Sequence, residues 1–209
     1  FESLRLVVSG AEKLREDVRI EFKKRFAKDI LEGFGTTETS PVATCNLPDV
    51  LSPDFSIQKG QKAGTVGMAI PGTTIKVVDP VTFKELKVNE EGMILISGIQ
   101  VMKSYLDDEE RTEKALKVIN AKTYYITGDK GKLDEDGFLT IVDRYSRFAK
   151  IGGEMISLGA IEELISKFIE STDNLIDFLV TSLEDEKKGE KIILLISNTN
   201  KEFIQELKE

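Results

Sequence analysis

The side chains whose types and spacing could do chemistry fall in three segments: Gly33-Phe34-Gly35-Thr36-Thr37-Glu38-Thr39-Ser40, then Tyr125-Ile126-Thr127-Gly128-Asp129, then Asp143-Arg144-Tyr145-Ser146-Arg147-Phe148-Ala149-Lys150-Ile151-Gly152-Gly153-Glu154. In the first, glycines let backbone amides approach an anion, threonine hydroxyls add donors, and Glu38 can hold a magnesium ion bridging phosphate oxygens. Phe34 offers a flat face on which a purine could stack. In the second, Asp129 ends a β-type stretch at a turn; an ionised carboxylate is acceptor-only, so it could take both ribose hydroxyls as donors. In the third, Arg144, Arg147 and Lys150 precede Gly152-Gly153, where a backbone could lie close to a ligand, and a short basic junction suits a hinge over polyphosphate. Each segment alone has a plainer reading: a strand-to-turn connection with a solvated Glu38, an ordinary Asx turn at Asp129, and a solvated basic strand edge. Together they supply what a nucleoside triphosphate asks of a protein, and they point to carboxylate activation with ATP.

Composition narrows the chemistry further. The chain has 209 residues, 40% hydrophobic and 32% charged, which is ordinary for a globular protein. No apolar run approaches the roughly 20 residues needed to span a bilayer, so no membrane segment is expected in this chain. The chain starts at Phe1, runs straight into a strand-like stretch and reads as a piece of something longer; membrane association of a full-length protein stays open. A net charge of -8 argues against nonspecific nucleic-acid binding, which needs clustered cations facing phosphates. The single cysteine, Cys45, excludes an intramolecular disulfide and a thiolate zinc site, and a reducing cytoplasmic location is expected. Cys45 reads as a small apolar filler. The absence of histidine removes Ser-His-Asp and Cys-His devices together. Chemistry must run on carboxylates, lysines, hydroxyls, backbone amides and a bound metal.

The elements that must position these residues follow from periodicity. Leu4 to Val8 reads as a buried strand, Leu14, Val18, Phe22 and Phe26 share one helix face, and Asp29 to Leu31 reads as a second strand leading into the glycine turn at Gly33. Such a strand-helix-strand unit places ligands at the carboxyl ends of parallel strands. Leu47 to Gly60 reads as a surface loop. Gly67 to Pro71, Thr74 to Val78, Met93 to Ser97 and Phe138 to Val142 are short β-branched runs of a mostly antiparallel sheet or barrel, with a helix near Asp108 to Val118. From Arg144 onward the pattern predicts a strand pair around Gly152-Gly153, a helix from Leu158 to Ile169, strands at Ile176 to Thr181 and Lys191 to Ser197, and a last helix from Lys201.

These residues resemble the acyl-adenylate-forming superfamily, the AMP-dependent synthetases and ligases, over nearly the whole chain. The resemblance implies an α/β and α+β fold: residues 1–143 as the C-terminal part of a large AMP-binding domain, with a βαβ segment 1–46 and a β-barrel-like subdomain 60–143, then an incomplete small α+β lobe at 144–209. It implies that Ser9, Gly10 and Ala11 lie beside the adenine and acyl pocket and that Phe34, Gly35, Thr36, Thr37 and Glu38 serve adenine, phosphate and Mg2+. Gly92 to Gly98, through Tyr105, is similar to a structural motif of the barrel. Asp129 corresponds to the ribose acid and Arg144 to the arginine near ribose and phosphate, with Lys150 also on the nucleotide side. Thr37, Glu38 and Arg144 are the implied catalytic residues, and ATP/AMP and Mg2+ the implied cofactors.

Residues 147–158 are most similar to the acyl-acyl-carrier-protein synthetase half of 2-acylglycerophosphoethanolamine acyltransferases. This implies a fatty acid or other carboxylate as substrate and transfer to the thiol of acyl carrier protein or coenzyme A, with Gly152 and Gly153 near the thiol tunnel. Phe34 stands where tyrosine is common, Asp143 replaces a glycine, and Ser146 takes a hinge position often held by Asp or Lys. The family's Ser/Thr/Gly-rich loop ending in Lys and its late Gly-Lys segment are not in these 209 residues. The chain alone is therefore expected to bind adenine nucleotide weakly without turnover, and detectable ATP-pyrophosphate exchange would refute this. A noncatalytic nucleotide-binding or carrier-docking module of the same fold is the rival reading.

Overall fold

The opening apolar run forms a shorter and more exposed strand than expected: only Val7–Ser9 (β1) finds a partner, and Leu4, Leu6 and Val8 are exposed, not buried. In the computed structural model, which describes residues 2–12, 14–170, 176–185 and 187–197, β1 pairs in parallel with β2 (Ile30–Phe34), Val7 opposite Ile30 and Ser9 opposite Glu32. The connecting helix α1 (Glu16–Phe26) carries Glu16 and Asp17 in its first turn and Lys23, Lys24 and Arg25 in its last, matching the helix dipole at both ends. It closes on Ala27 in the left-handed region, whose N–H bonds the Lys23 carbonyl. The apolar face expected from Leu14, Val18, Phe22 and Phe26 is only partly formed: Leu14 precedes α1, Val18 is exposed, and the Phe22 and Phe26 rings pack 4.8 Å apart without any α1 residue being buried.

The chain divides into two compact units, Phe1–Val142 and Asp143–Glu209. In the first, β2 continues antiparallel to β3 (Thr44–Cys45), so Gly33 and Phe34 belong to a strand, and the turn expected at Gly33 begins only at Gly35. The stretch read as a loop at 47–60 instead contains a small exposed hairpin, β4 (Val50–Leu51) with β5 (Ile57–Gln58). β6 (Met68–Ala69) completes the order β1-β2-β3-β6. Buried Asn46 ties this sheet to the following loop: its amide donates to the carbonyls of Glu32 and Thr65, and its oxygen accepts the Lys62 N–H.

The second sheet of this unit runs β11-β10-β8-β7. β7 is Thr73–Val78, β8 Gly92–Gly98, β10 Lys122–Leu133 and β11 Leu139–Arg144. The unbroken apolar run in β8 is buried on both faces. Ile94 and Ile96 pack with Ala43 and Leu139, and Leu95 packs on the other side with Val78 and Tyr124. The helix expected over Asp108 to Val118 stops early: α2 is Glu109–Ala115, capped by the Asp108 carboxylate accepting the Arg111 N–H, and Leu116–Ile119 is strand β9, paired with β10. The cause lies just downstream, where Asn120 and Ala121 both take positive φ and make a two-residue hairpin turn between Ile119 and Lys122.

In the second unit β12 (Phe148–Ile151) and β13 (Glu154–Ser157) form a hairpin whose turn residues, Gly152 and Gly153, both have positive φ. Helix α3 (Leu158–Glu170) packs Leu158, Ile161 and Ile165 on Ala149, Val180, Ile192 and Leu194. With β14 (Phe178–Asp185) and β15 (Gly189–Ile196) the sheet order is β13-β12-β15-β14. The fold is thus mixed α/β and α+β. The helix expected from Lys201 lies outside the described residues. Among the described residues no helix is long and apolar enough to cross a membrane.

Candidate nucleotide site

The loop after β2 is shaped by its own close approach. A Cβ on Gly35 would sit 1.9 Å from the Pro41 carbonyl oxygen, so glycine is required there by loop closure. Thr36 then opens a single 3-10 turn, Thr37–Thr39. Fully buried Thr39 locks it, accepting the Thr36 N–H at 2.9 Å and donating its hydroxyl to the Thr36 carbonyl at 3.0 Å. Thr37 is left exposed and Glu38 half-buried. Ser9, at the carboxyl end of β1, and Gly10 lie beside Gly33, the Gly10 Cβ position being 3.2 Å from the Gly33 carbonyl oxygen. Ala11, next in the chain, takes the left-handed conformation at a φ of 73°. Ser9, Gly10, Gly33 and the 35–38 loop therefore meet at the carboxyl ends of the parallel pair, where open α/β sheets bind ligands. A surface pocket of about 200 Å³ opens at the other ends of the same strands, lined by Arg5, Val7, Lys28 and Asp29, and contains none of the motif residues.

Glu38 is held by a segment far away in sequence. The Tyr105 hydroxyl donates to Glu38 Oε1 at 2.6 Å, the Met102 N–H bonds the Glu38 carbonyl at 2.8 Å, and the Ser40 hydroxyl donates to the Gln100 carbonyl at 2.9 Å. Burial pushes the Glu38 carboxyl up, but hydrogen bonds from Tyr105, its own backbone, Thr36 and Tyr125 outweigh it and keep the group below its ordinary value. The Tyr125 hydroxyl is pushed up to about 12, by burial first and then by the charge of Glu38. An ionised carboxylate thus sits among protonated phenols. Buried Thr36 Oγ1 adds a polar atom that makes no hydrogen bond of full geometry.

Asp129 departs from expectation. It does not end a strand at an Asx turn; it lies within β10, at a bulge where the register against β8 shifts between Ile126 and Lys130. Thr127 makes the bulge: its hydroxyl donates to the Ile94 carbonyl and accepts the Asp129 N–H, both at 2.9 Å, while Gly128 takes a φ of 75°. Asp129 is only 2% exposed, so a ribose reaches it only if neighbouring side chains give way. Phe34 is likewise half-buried, one side of it packed on the Ala43, Ile94, Ile96 and Leu139 cluster.

The remaining candidates belong to the second unit. Arg144 is exposed at the end of β11, its N–H bonded to the Asp143 carboxylate. Asp143 also bonds the Ser157 hydroxyl, which caps α3 through the Ala160 N–H. Arg147 pairs with Glu162, whose other oxygen accepts the Val180 N–H at 3.0 Å. Lys150 is exposed on β12, and Gly152-Gly153 form the hairpin turn already described.

The donor set around Glu38 fits magnesium. Among the described residues no three His, Cys, Asp or Glu side chains cluster for a metal, so a cation held by Glu38 would draw most of its ligands from phosphate oxygens and water. That is how Mg2+ is usually held at nucleotide sites.

Residues 1–106 match the family model described as AMP-binding enzyme. The chain belongs to the AMP-binding enzyme family. This is the acyl-adenylate-forming superfamily that the motifs resemble. Among its relatives is 4-coumarate--CoA ligase 2 of Nicotiana tabacum, 33% identical over 207 residues, covering 99% of this chain and 36% of the ligase. Among solved structures, ATP-bound MatB from Rhodopseudomonas palustris aligns with a TM-score of 0.71 and 29% identity, over 92% of this chain and 35% of that one. The o-succinylbenzoate coenzyme A synthetase MenE from Bacillus subtilis, in complex with AMP, aligns with a TM-score of 0.69 and 28% identity, over 95% of this chain and 37% of that one. The chain of this AMP-binding family member thus spans little more than a third of the tobacco ligase.

Proposed function

We propose that this chain carries part of the nucleotide site of an ATP-dependent ligase that activates a carboxylic acid as acyl-AMP and passes the acyl group to a thiol. The observation that carries the reading is the ionised Glu38, held by Tyr105 beside an exposed Thr37 in the family's phosphate motif. In the first step a carboxylate oxygen of the substrate attacks the α-phosphorus and pyrophosphate leaves; in the second the thiol sulfur attacks the acyl carbon and AMP leaves. A carboxylate is already a nucleophile, so the first step needs no general base, in keeping with a chain that has no histidine. Bound magnesium would neutralise charge on the phosphates, with Glu38 as its protein ligand.

In this reading the Thr37 hydroxyl and nearby amides orient phosphate, Phe34 and the Ser9 to Ala11 loop border the adenine, and Asp129 takes the ribose hydroxyls. Arg144 and Lys150 provide cations to the phosphate side, and Gly152 and Gly153 border the thiol path. Residues 1–143 are the end of the large AMP-binding domain and 144–209 the beginning of the small one. Coenzyme A is the favoured acceptor over acyl carrier protein, because the tobacco and Bacillus subtilis relatives are named for coenzyme A. Those two names also set aromatic acids beside fatty acids as substrate classes.

The test is ATP-pyrophosphate exchange by the complete gene product across fatty and aromatic acids, followed by mass spectrometry of the product formed with coenzyme A or holo acyl carrier protein. Carboxylate-dependent exchange and an acyl-coenzyme A product are expected. Nucleotide binding with no exchange for any acid would contradict the ligase reading and favour a noncatalytic module.

A further inference from the structure

Tyr105 lies 67 residues from Glu38 in sequence, yet three hydrogen bonds fasten its segment to the Glu38 turn. Two join backbone to backbone or side chain, at Met102 to Glu38 and Ser40 to Gln100, and fix where the turn sits. The third, from the Tyr105 hydroxyl, reaches the carboxylate itself. The phenol is in turn well anchored. The Tyr105 N–H bonds Thr112 Oγ1 at 2.9 Å, the Thr112 hydroxyl bonds the Asp108 carbonyl at 2.8 Å, and the Arg111 guanidinium lies over the Tyr105 ring 4.0 Å from its centre. All three anchors belong to the capped start of α2.

We propose that Tyr105 is a positioning residue for Glu38, and that Arg111 and the start of α2 act through it to aim this carboxylate at a divalent cation. The inference rests on the nucleotide reading above. Its physical basis is that Glu38 stands on a single 3-10 turn, where a glutamate with three free torsions would spend little time in any one orientation. Fixing one carboxylate oxygen with a donor phenol leaves the group ionised and sets the direction of the other, as partners behind a metal ligand generally do. A cation over the phenol ring strengthens the phenol as a donor and holds the ring in place.

A merely structural hydrogen bond would support the fold and would affect nucleotide binding with and without metal alike. A positioning bond affects only the metal-dependent part. The experiment measures ATP binding to the 209-residue chain by calorimetry, with EDTA and then with Mg2+, and counts bound Mn2+ by electron paramagnetic resonance in the presence of ATP. For Tyr105→Phe, loss of a hydrogen bond to a charged group predicts that Mn2+ affinity falls about ten-fold while ATP affinity in EDTA is unchanged. Arg111→Met, at an exposed position that leaves the Tyr105 bond in place, is expected to give a smaller loss in the same direction.

Unchanged Mn2+ affinity in Tyr105→Phe would overturn the inference, and so would an equal loss with and without metal. Metal-dependent ATP binding that ignores both substitutions removes the inference and leaves the nucleotide reading intact. Failure of the unaltered chain to bind ATP under any condition removes both.

Discussion

Gly35 and Asn46 show at the level of single residues how the site is held in shape. A Cβ at position 35 would overlap the Pro41 carbonyl, and backbone cannot move aside as a flexible side chain can. Gly35→Ala is therefore expected to destabilise the chain by about 1–3 kcal/mol, read as a shift in urea midpoint. Asn46 joins the carbonyls of Glu32 and Thr65 to the Lys62 amide inside the protein, and Asn46→Ala would leave these groups without that partner. A loss of about 1–3 kcal/mol is expected by the same measurement. Gly35 stood out in the sequence, although for a different reason: its neighbours suggested an anion, whereas the structure shows that the loop's own backbone demands it. Tyr105 as the partner of Glu38, and Arg111 as the partner of Tyr105, were not legible, the first because nothing in local spacing links residues 67 apart in sequence.

At the level of elements, turns decide more than strands do. Ala121 sits at a φ of 61° in the β9–β10 hairpin, a conformation that costs an L side chain about 1–2 kcal/mol. Ala121→Gly should raise stability by about 1 kcal/mol, because relief of that strain exceeds the added entropy of the unfolded chain. The β10–β11 turn depends on Asp134, which accepts the Phe138 and Asp136 amides and pairs with Lys62. Burial pushes the Asp134 carboxyl up, but Lys62 and those amides more than offset it and hold it below 3.8. Its folded value is lower than its unfolded one, so the stability it adds is complete above the unfolded value and disappears as pH falls through the folded value. Urea midpoints measured from neutral pH down to about pH 2 should decline less steeply in Asp134→Asn than in the unaltered chain. The β8 run and the α3 face were legible in the sequence, since burial imposes their periods directly, whereas the α1 face is not buried and its apolar spacing was a weaker guide. The β9 strand was not, because Leu116 to Ile119 continues an acceptable helical pattern until the two left-handed residues reverse the chain. Nor was the bulge at Asp129, which exists only in register against β8.

For the whole molecule, membership of the AMP-binding family and the grouping of Ser9, Gly10, Gly33, Gly35 and Glu38 at one end of the parallel strands support the same reading. The most direct measurement is calorimetric ATP binding by the chain with and without Mg2+, for the unaltered protein and for Glu38→Gln, which keeps the size of the side chain and removes its charge. The account predicts binding that Mg2+ strengthens, and a loss of that Mg2+ enhancement in Glu38→Gln with affinity in EDTA preserved. Binding that Mg2+ strengthens equally in both proteins, or no binding in either, would contradict it.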